Sequence, residues 1–272
     1  EIDMKFTKMQ GTGNDYVYIN CFEETVERPE ELAVKVSDRH FGIGSDGLIL
    51  ICPSGQADCR MKMFNADGSE SEMCGNGIRC VGKYVYDHHI VEKDEFDVET
   101  KAGIKHLKVT DEGGKAVLIT VDMGIPEVTG EVPEPITIDG RSYEFIGISM
   151  GNPHAIYYMD EIDGLDLEAM GPAFETHERF PERTNSEFIQ VIDRSHLRMR
   201  VWERGSGETW ACGTGATASA VASVLSGRTE NTVEVELKGG ILSITWDRES
   251  GHVYMTGPAV EVFQGEFDPE NL

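Results

Sequence analysis

The sequence predicts an α+β protein of two pseudo-symmetric domains, each a curved, mostly antiparallel, barrel-like sheet wrapped around a central helix. Three observations lead there: a thiol motif that occurs twice, a constant offset relating the two halves, and short strand patterns that outnumber helical ones. Cys74 and Cys212 each precede a Gly-x-Gly, in Met73-Cys74-Gly75-Asn76-Gly77 and Ala211-Cys212-Gly213-Thr214-Gly215. They stand 138 positions apart in a chain of 272 residues. The same shift lays Arg60-Met61-Lys62 on Arg198-Met199-Arg200, Phe64 on Trp202, Glu70 on Glu208 and Gly13-Asn14 on Gly151-Asn152. One position short of it, Val98–Ile104 matches Val235–Ile241. A repeat of this length is a duplicated domain, since solenoid periods run to roughly 20 to 50 residues. The repeats are read as residues 1–118 and 119–262, with 263–272 packing back onto the first, and an active site is expected in the cleft between them.

In chain order, Met4–Phe6 and Tyr16–Asn20 read as strands, Glu30–Asp38 as helical, Leu48–Cys52 as a short buried strand and Cys59–Phe64 as an alternating one. A helix follows Cys74 over Asn76–His88. Strands follow over Phe96–Thr100, Ile104–Thr110 and Ala116–Asp122, with Gly113-Gly114 as a turn. The second half repeats the theme, with Asp139-Gly140 and Gly239-Gly240 as hairpin turns. Its helix, Thr214–Leu225, is small and apolar nearly all round, as a helix enclosed by a sheet must be. Gly227 supplies the stop. Glu1-Ile2-Asp3 precede Met4, which reads as a natural start, and are set aside as an expression remnant.

Composition restricts function. A hydrophobic fraction of 39% can supply two cores, and no apolar run approaches the roughly 20 residues of a membrane span. No signal pattern opens the chain, so a cytoplasmic protein is expected. The formal net charge of −25 argues against nucleic acid or an anionic membrane as partner. The six cysteines lack a Cys-x-x-Cys or a dense framework, so reduced thiols are expected, with no metal.

A cysteine at a helix N-terminus sits among amide donors and the positive end of the helix dipole, which lowers its pKa. The amides of Gly75, Asn76, Gly213 and Thr214 can hold a carboxylate, and hold it more tightly as the adjacent α-carbon loses a proton. Two such ends meeting one substrate would place a thiolate on one face of a carbon and a thiol on the other. That is the equipment of a two-base inversion. Such a pair would share one proton and titrate as a unit.

At these residues the chain resembles the diaminopimelate epimerases, pyridoxal-independent enzymes of lysine and peptidoglycan precursor synthesis. The resemblance runs from Met4 to the end of the repeat. It is carried by Gly11-Thr12-Gly13-Asn14-Asp15-Tyr16, Phe64-Asn65-Ala66-Asp67-Gly68-Ser69, Cys74-Gly75-Asn76-Gly77-Ile78-Arg79-Cys80, Gly151-Asn152-Pro153-His154 and Glu203-Arg204-Gly205-Ser206-Gly207-Glu208-Thr209. It implies conversion of LL-2,6-diaminopimelate to the meso isomer, with Cys74 and Cys212 as the acid/base pair and no cofactor or metal. By matching position it implies substrate contacts from Asn14, Asn65, Asn152, Asn185, Glu203 and Arg204, beside the amides after each cysteine. Glu203 suits an ammonium group and Arg204 a carboxylate. His154 is a candidate for tuning the thiols, or else a structural histidine. A homodimer is a further possibility. The chain departs from some relatives at Gly47, where they carry glutamine, so a side-chain contact from that position is absent.

Other readings stay open on sequence alone. They are a related two-thiol enzyme resembling proline or hydroxyproline racemases or a phenazine-type isomerase, a thiol redox or sensor protein, and a binding module whose helix ends only hold anions. Gly42-Ile43-Gly44-Ser45-Asp46-Gly47 has the spacing of a dinucleotide fingerprint but leads from a helical segment into a strand, the reverse order, and is read as a turn. Gly213-Thr214-Gly215-Ala216-Thr217-Ala218 opens a helix but has no βαβ unit around it. Cys21, Cys52, Cys59 and Cys80 are read as small buried hydrophobes, Phe64 and Trp202 as core, and Glu266–Leu272 as a solvated terminus.

Overall fold

The computed structural model describes residues 3–272. Of the three residues set aside at the start, Glu1 and Ile2 lie outside that range. The elements run β1 (Met4–Gly11), β2 (Asn14–Asn20), α1 (Pro29–Ser37), β3 (Gly47–Cys52), β4 (Cys59–Asn65), β5 (Glu70–Ser71), α2 (Gly75–Asp87), β6 (Glu95–Thr100), β7 (Gly103–Glu112) and β8 (Lys115–Asp122). They continue as β9 (Glu127–Val128), β10 (Glu134–Ile138), β11 (Arg141–Ser149), β12 (Pro153–Tyr158), α3 (Leu167–Glu175), β13 (Asn185–Asp193), β14 (His196–Glu203), β15 (Gly207–Glu208) and α4 (Gly213–Leu225). The last are β16 (Thr232–Leu237), β17 (Gly240–Trp246), β18 (Val253–Pro258), β19 (Val260–Phe267) and a single 3-10 turn, Pro269–Asn271. Among the described residues no helix is long and apolar enough to cross a membrane.

The chain forms two compact units, one ending at Val121 and resumed by Gly257–Leu272, the other Asp122–Thr256. It rejoins the first unit at Gly257, earlier than residue 263, because β19 pairs with β1 from Val260 onward, opposite Gln10. Met4 faces Phe267 at the other end of that ladder, and Phe267 and Leu272 pack on the core. The acidic terminus is therefore solvated at Glu266, Glu270 and Asn271 but anchored by Phe267 and Leu272, its first two residues closing the edge strand.

In the first unit the strands follow the order β19, β1, β2, β3, β4, β6, β7, β8, with only β2–β3 and β4–β6 parallel. In the second, β10 to β18 follow the same plan, with β12–β13 and β14–β16 parallel. The registers coincide across the repeat. Val17 faces Leu48 as Ala155 faces Ser186, and Cys59 faces Val98 as Leu197 faces Val235. Among the described residues the edge strands of each unit do not pair with each other, so each sheet is an open curve and not a closed barrel. Asp139 and Gly140 form the expected two-residue hairpin turn, with φ of 50° and 78°. The turn expected at Gly239-Gly240 falls one residue earlier, at Lys238-Gly239, because Leu237 pairs with Gly240.

Each central helix is enclosed by its sheet. α2 touches β19, β1, β2 and β7, and α4 touches β11, β12, β13, β16 and β17. Both are buried over almost their whole circumference, which is why α4 carries Ala, Ser and Thr and α2 carries glycines at its closest approaches. Each unit also has an outer helix. α1 lays Leu32, Ala33 and Val36 on Val17, Ile19, Leu48, Leu50 and Phe64. α3, at the same shift of 138, packs Leu167 and Phe174 with Tyr157, Phe188 and Trp202. α3 is absent from the sequence reading, since Gly171-Pro172 interrupts its pattern. Asp166 caps it through Ala169 N at 3.2 Å. Phe64 and Trp202 are core residues as expected, and the Trp202 indole donates to Glu175 at 2.9 Å.

Cys59 and Cys80 are buried as expected, whereas Cys21 and Cys52 are half-buried. At Gly47, a Cβ would stand 2.2 Å from the Phe64 carbonyl oxygen. The strand therefore approaches β4 so closely that only glycine fits. Gly47→Ala is expected to lower stability by about 1–3 kcal/mol through overpacking, read as a lower urea midpoint at unchanged slope.

Candidate active site

Both thiols are helix N-caps. Cys74 has φ −135° and ψ 125°, and its sulfur accepts from Gly77 N at 3.5 Å. Cys212 has φ −127° and ψ 105°, and its sulfur accepts from Gly215 N at 3.3 Å. The extended cap followed by helical glycine turns each sulfur back over the first amides, the position a Ser or Asp cap occupies.

In the first unit the Cys74 thiol donates to Asn14 Oδ1 at 3.2 Å, and the Tyr16 hydroxyl reaches the sulfur at 3.7 Å. Asn76 Nδ2 reaches the same Asn14 oxygen at 3.4 Å. Asn14 Nδ2 is held in turn by Asp46 Oδ2 at 2.6 Å, and Thr12 Oγ1 donates to Asn76 Oδ1 at 3.0 Å. Under this network lies Arg79, fully buried, donating to the carbonyls of Pro258 at 3.1 Å and Gly75 at 3.3 Å. Among the described residues it has no ion pair; burial lowers its pKa while the Cys80, Cys74 and Tyr18 groups favour its charge. Burial and the Cys74 sulfur push the Tyr16 phenol well up. Asn65 stands apart from the thiol's hydrogen bonds, opposite Gly47, with its amide donating to Ser69 Oγ at 3.0 Å.

In the second unit Cys212 is 8% exposed, with Thr214 Oγ1 at 3.6 Å. Asn152 Nδ2 donates to Thr214 Oγ1 at 3.2 Å, and Asn152 Oδ1 lies 3.1 Å from His154 Nε2. His154 Nδ1 lies 2.6 Å from Glu187 Oε1, both side chains fully buried. Thus His154 reaches the Cys212 helix through Asn152 and Thr214, not through the sulfur. Asn185 accepts from Arg204 N at 2.8 Å and donates to Pro153 O at 2.9 Å, fixing the end of β14 where Glu203 and Arg204 project. Thr209 donates to Glu203, and Arg204 has only the Glu182 carbonyl at 3.3 Å, with no ion pair among the described residues.

The expectation that both helix ends lower thiol pKa fails at Cys212. Burial, then the Glu203 and Glu187 carboxylates, push it well up, and the bonds from Thr214 and Gly215 do not offset them. Burial also raises the Glu187 carboxyl against the pull of His154, and raises Glu203 against Thr209. Glu187 Oε2 is buried with no hydrogen-bond partner among the described residues. Sequence reasoning missed Glu187, Arg79 and Tyr16. The shift of 138 would have flagged two of them, since it lays Tyr16 on His154 and Ile49 on Glu187.

A raised carboxyl makes stability fall as pH rises. Glu203 binds its proton more tightly folded than unfolded, so its contribution is complete below the unfolded value of about 4.3 and is lost as pH climbs through the folded value. Glu203→Gln keeps the acceptor for Thr209 and removes the titration. The stability difference, variant minus parent, is therefore expected to grow from acid to neutral pH in denaturant titrations, and a pH-independent difference would contradict it.

The fold is that of the two-domain racemases, epimerases and phenazine-biosynthesis proteins. A Bacillus anthracis phenazine biosynthesis protein of the PhzF family superposes with a TM-score of 0.75 at 18% identity, covering 98% of this chain and 100% of that one. A hydroxyproline epimerase from Agrobacterium vitis gives 0.75 at 15% identity, covering 99% and 94%. The family profile described as diaminopimelate epimerase matches residues 6–129 and 146–262. A diaminopimelate epimerase from Desulfovibrio desulfuricans is 59% identical over 98% of this chain and 99% of its own length. The chain belongs to the diaminopimelate epimerase family.

Proposed function

We propose that this protein is an isomerase that converts LL-2,6-diaminopimelate to meso-2,6-diaminopimelate, in lysine and peptidoglycan precursor synthesis. The observation that carries the reading is the pair of cysteine-capped, glycine-led helices in a chain so similar to diaminopimelate epimerases. Inversion at an α-carbon needs a proton acceptor on one face and a donor on the other; Cys74 and Cys212 are assigned to these roles. One sulfur removes the α-proton, the first-turn amides of Gly75, Asn76, Gly213 and Thr214 hold the carboxylate as charge moves onto it, and the other sulfur returns a proton. The reverse reaction exchanges their roles. This chemistry calls on neither pyridoxal phosphate nor a metal.

The distal end of the substrate also carries an ammonium and a carboxylate. Arg204, with no carboxylate partner of its own, supports the assignment of a carboxylate clamp, and Glu203 that of an ammonium acceptor. Asn14, Asn65, Asn152 and Asn185 complete the polar lining, with His154 positioning Asn152. The reading places the enzyme in the cytoplasm as a homodimer, supported by its family resemblance; light scattering of the purified protein tests the dimer.

In deuterated water, LL-diaminopimelate is expected to become the meso isomer with one deuteron on the inverted carbon, while proline and hydroxyproline remain unlabelled. Labelling of proline with none of diaminopimelate would replace this reading by that of a proline-type racemase.

A further inference from the structure

The parallel ladder of β2 and β3 sets Asn20 opposite Ile51, and just beyond it Cys21 N donates to Ile51 O at 2.8 Å. That rung brings Cys21 beside Cys52. Both pack on the face covered by α1 and both are half-buried. Neighbouring strands lie about 4.8 Å apart, within the roughly 4.4–6.8 Å between Cα atoms that a disulfide bridges. The second unit repeats the rung, with Met159 N donating to Ile189 O at 2.8 Å, but residues 159 and 190 are Met and Gln. The duplicated backbone therefore does not call for two thiols here.

Lys62 acts on both thiols, Arg60 acts on Cys52, and Arg60 also lies 4.0 Å from Glu99. On β4, Arg60 is opposite Cys52 and Lys62 opposite Leu50, so both cations flank Cys52, while Glu24 acts on Cys21. The neighbouring Cys21 thiol, with Lys62 and Arg60, brings the Cys52 thiol down to about 7 against its burial. The neighbouring Cys52 thiol, burial and the Glu24 charge push Cys21 up against the pull of Lys62.

We propose that Cys21 and Cys52 form a dithiol modification site, distinct from Cys74 and Cys212, that reacts with low-molecular-weight disulfides, Cys52 attacking and Cys21 resolving. The Cys52 thiolate attacks one sulfur of the disulfide, forming a mixed disulfide and expelling one thiolate. Cys21 then loses its proton to solvent and attacks the Cys52 sulfur, expelling the second thiolate and closing the Cys21–Cys52 bond. The two cysteines lose two electrons and two protons; the disulfide takes up both electrons and, through solvent, both protons. The site lies at the far ends of strands that begin at Asn14 and Gly47, roughly 20 Å away at about 3.3 Å per residue.

The test uses the full chain with Cys74→Ser and Cys212→Ser, treated with glutathione disulfide and mapped by peptide mass spectrometry. A Cys21–Cys52 cystine is expected. Adding Cys21→Ser should trap glutathione on Cys52, and adding Cys52→Ser should leave Cys21 unmodified. In the unsubstituted chain, iodoacetamide labelling of Cys52 should rise through about pH 7 with Cys21 lagging. Absence of the cystine, or equal reactivity of the two thiols in both experiments, would overturn the proposal.

Discussion

Cys74→Ala and Cys212→Ala are each expected to lower kcat/KM for epimerisation by about 10²–10⁴-fold, the usual worth of a positioned acid or base. The two losses should be of similar size, because inversion needs both an acceptor and a donor, and the Tyr16 phenol near Cys74, pushed well up, is a poor substitute for a thiolate. The fold should survive. Each sulfur caps one amide, Gly77 N or Gly215 N, and loss of a cap costs about 1 kcal/mol. Each variant also separates proton removal from inversion. The remaining thiol can still exchange the α-proton of the isomer that presents it, so deuterium can enter without change of configuration. Circular dichroism and a denaturant midpoint check the fold, and chiral chromatography with mass spectrometry reads inversion and exchange separately. A single variant inverting within about tenfold of the parent, well short of the loss that acid/base catalysis implies, would remove that thiol from the mechanism.

The thiol caps were legible in sequence because their causes are local: a cysteine, then glycines that let a helix begin and a substrate approach. The strand pattern and the duplication were legible for the same reason, since alternation and a constant shift need no third dimension. α3 was not, because Gly171-Pro172 opposes helix locally and only the packing of Leu167 and Phe174 on the core overrides it. Arg79 carries no local sign of burial, because a helix normally holds arginine on a solvated face, yet α2 is buried nearly all round. Nothing local marks Glu187 either: a strand carboxylate is normally on the outward face, yet both faces of β13 are covered at that point and the carboxylate is buried against His154. The proton affinity of Cys212 was beyond reach altogether, since it depends on carboxylates brought by β13 and by the end of β14.

Those buried charges break the symmetry of the repeat, and they predict that iodoacetamide at neutral pH labels Cys74 ahead of Cys212 by about an order of magnitude or more, the thiolate being the nucleophile. The shift of 138 lays Arg79 on Thr217, Ile49 on Glu187 and Asn65 on Glu203. One thiol thus lies over a buried guanidinium attracted by its charge, and the other beside one buried and one half-buried carboxylate that hold its proton in place. In the interior these charges are screened less than in water, and the helix dipole is only a fraction of a charge. Burial alone would also slow Cys212, so the two causes must be separated. Glu203→Gln preserves shape and the Thr209 hydrogen bond while removing one negative charge. It is expected to move the pH profile of Cys212 labelling toward lower pH and leave that of Cys74 in place, with peptide mass spectrometry assigning each site. Equal labelling of the two thiols in the parent would refute the asymmetry. An unmoved Cys212 profile in the variant would assign its protection to burial and remove the carboxylates from the account.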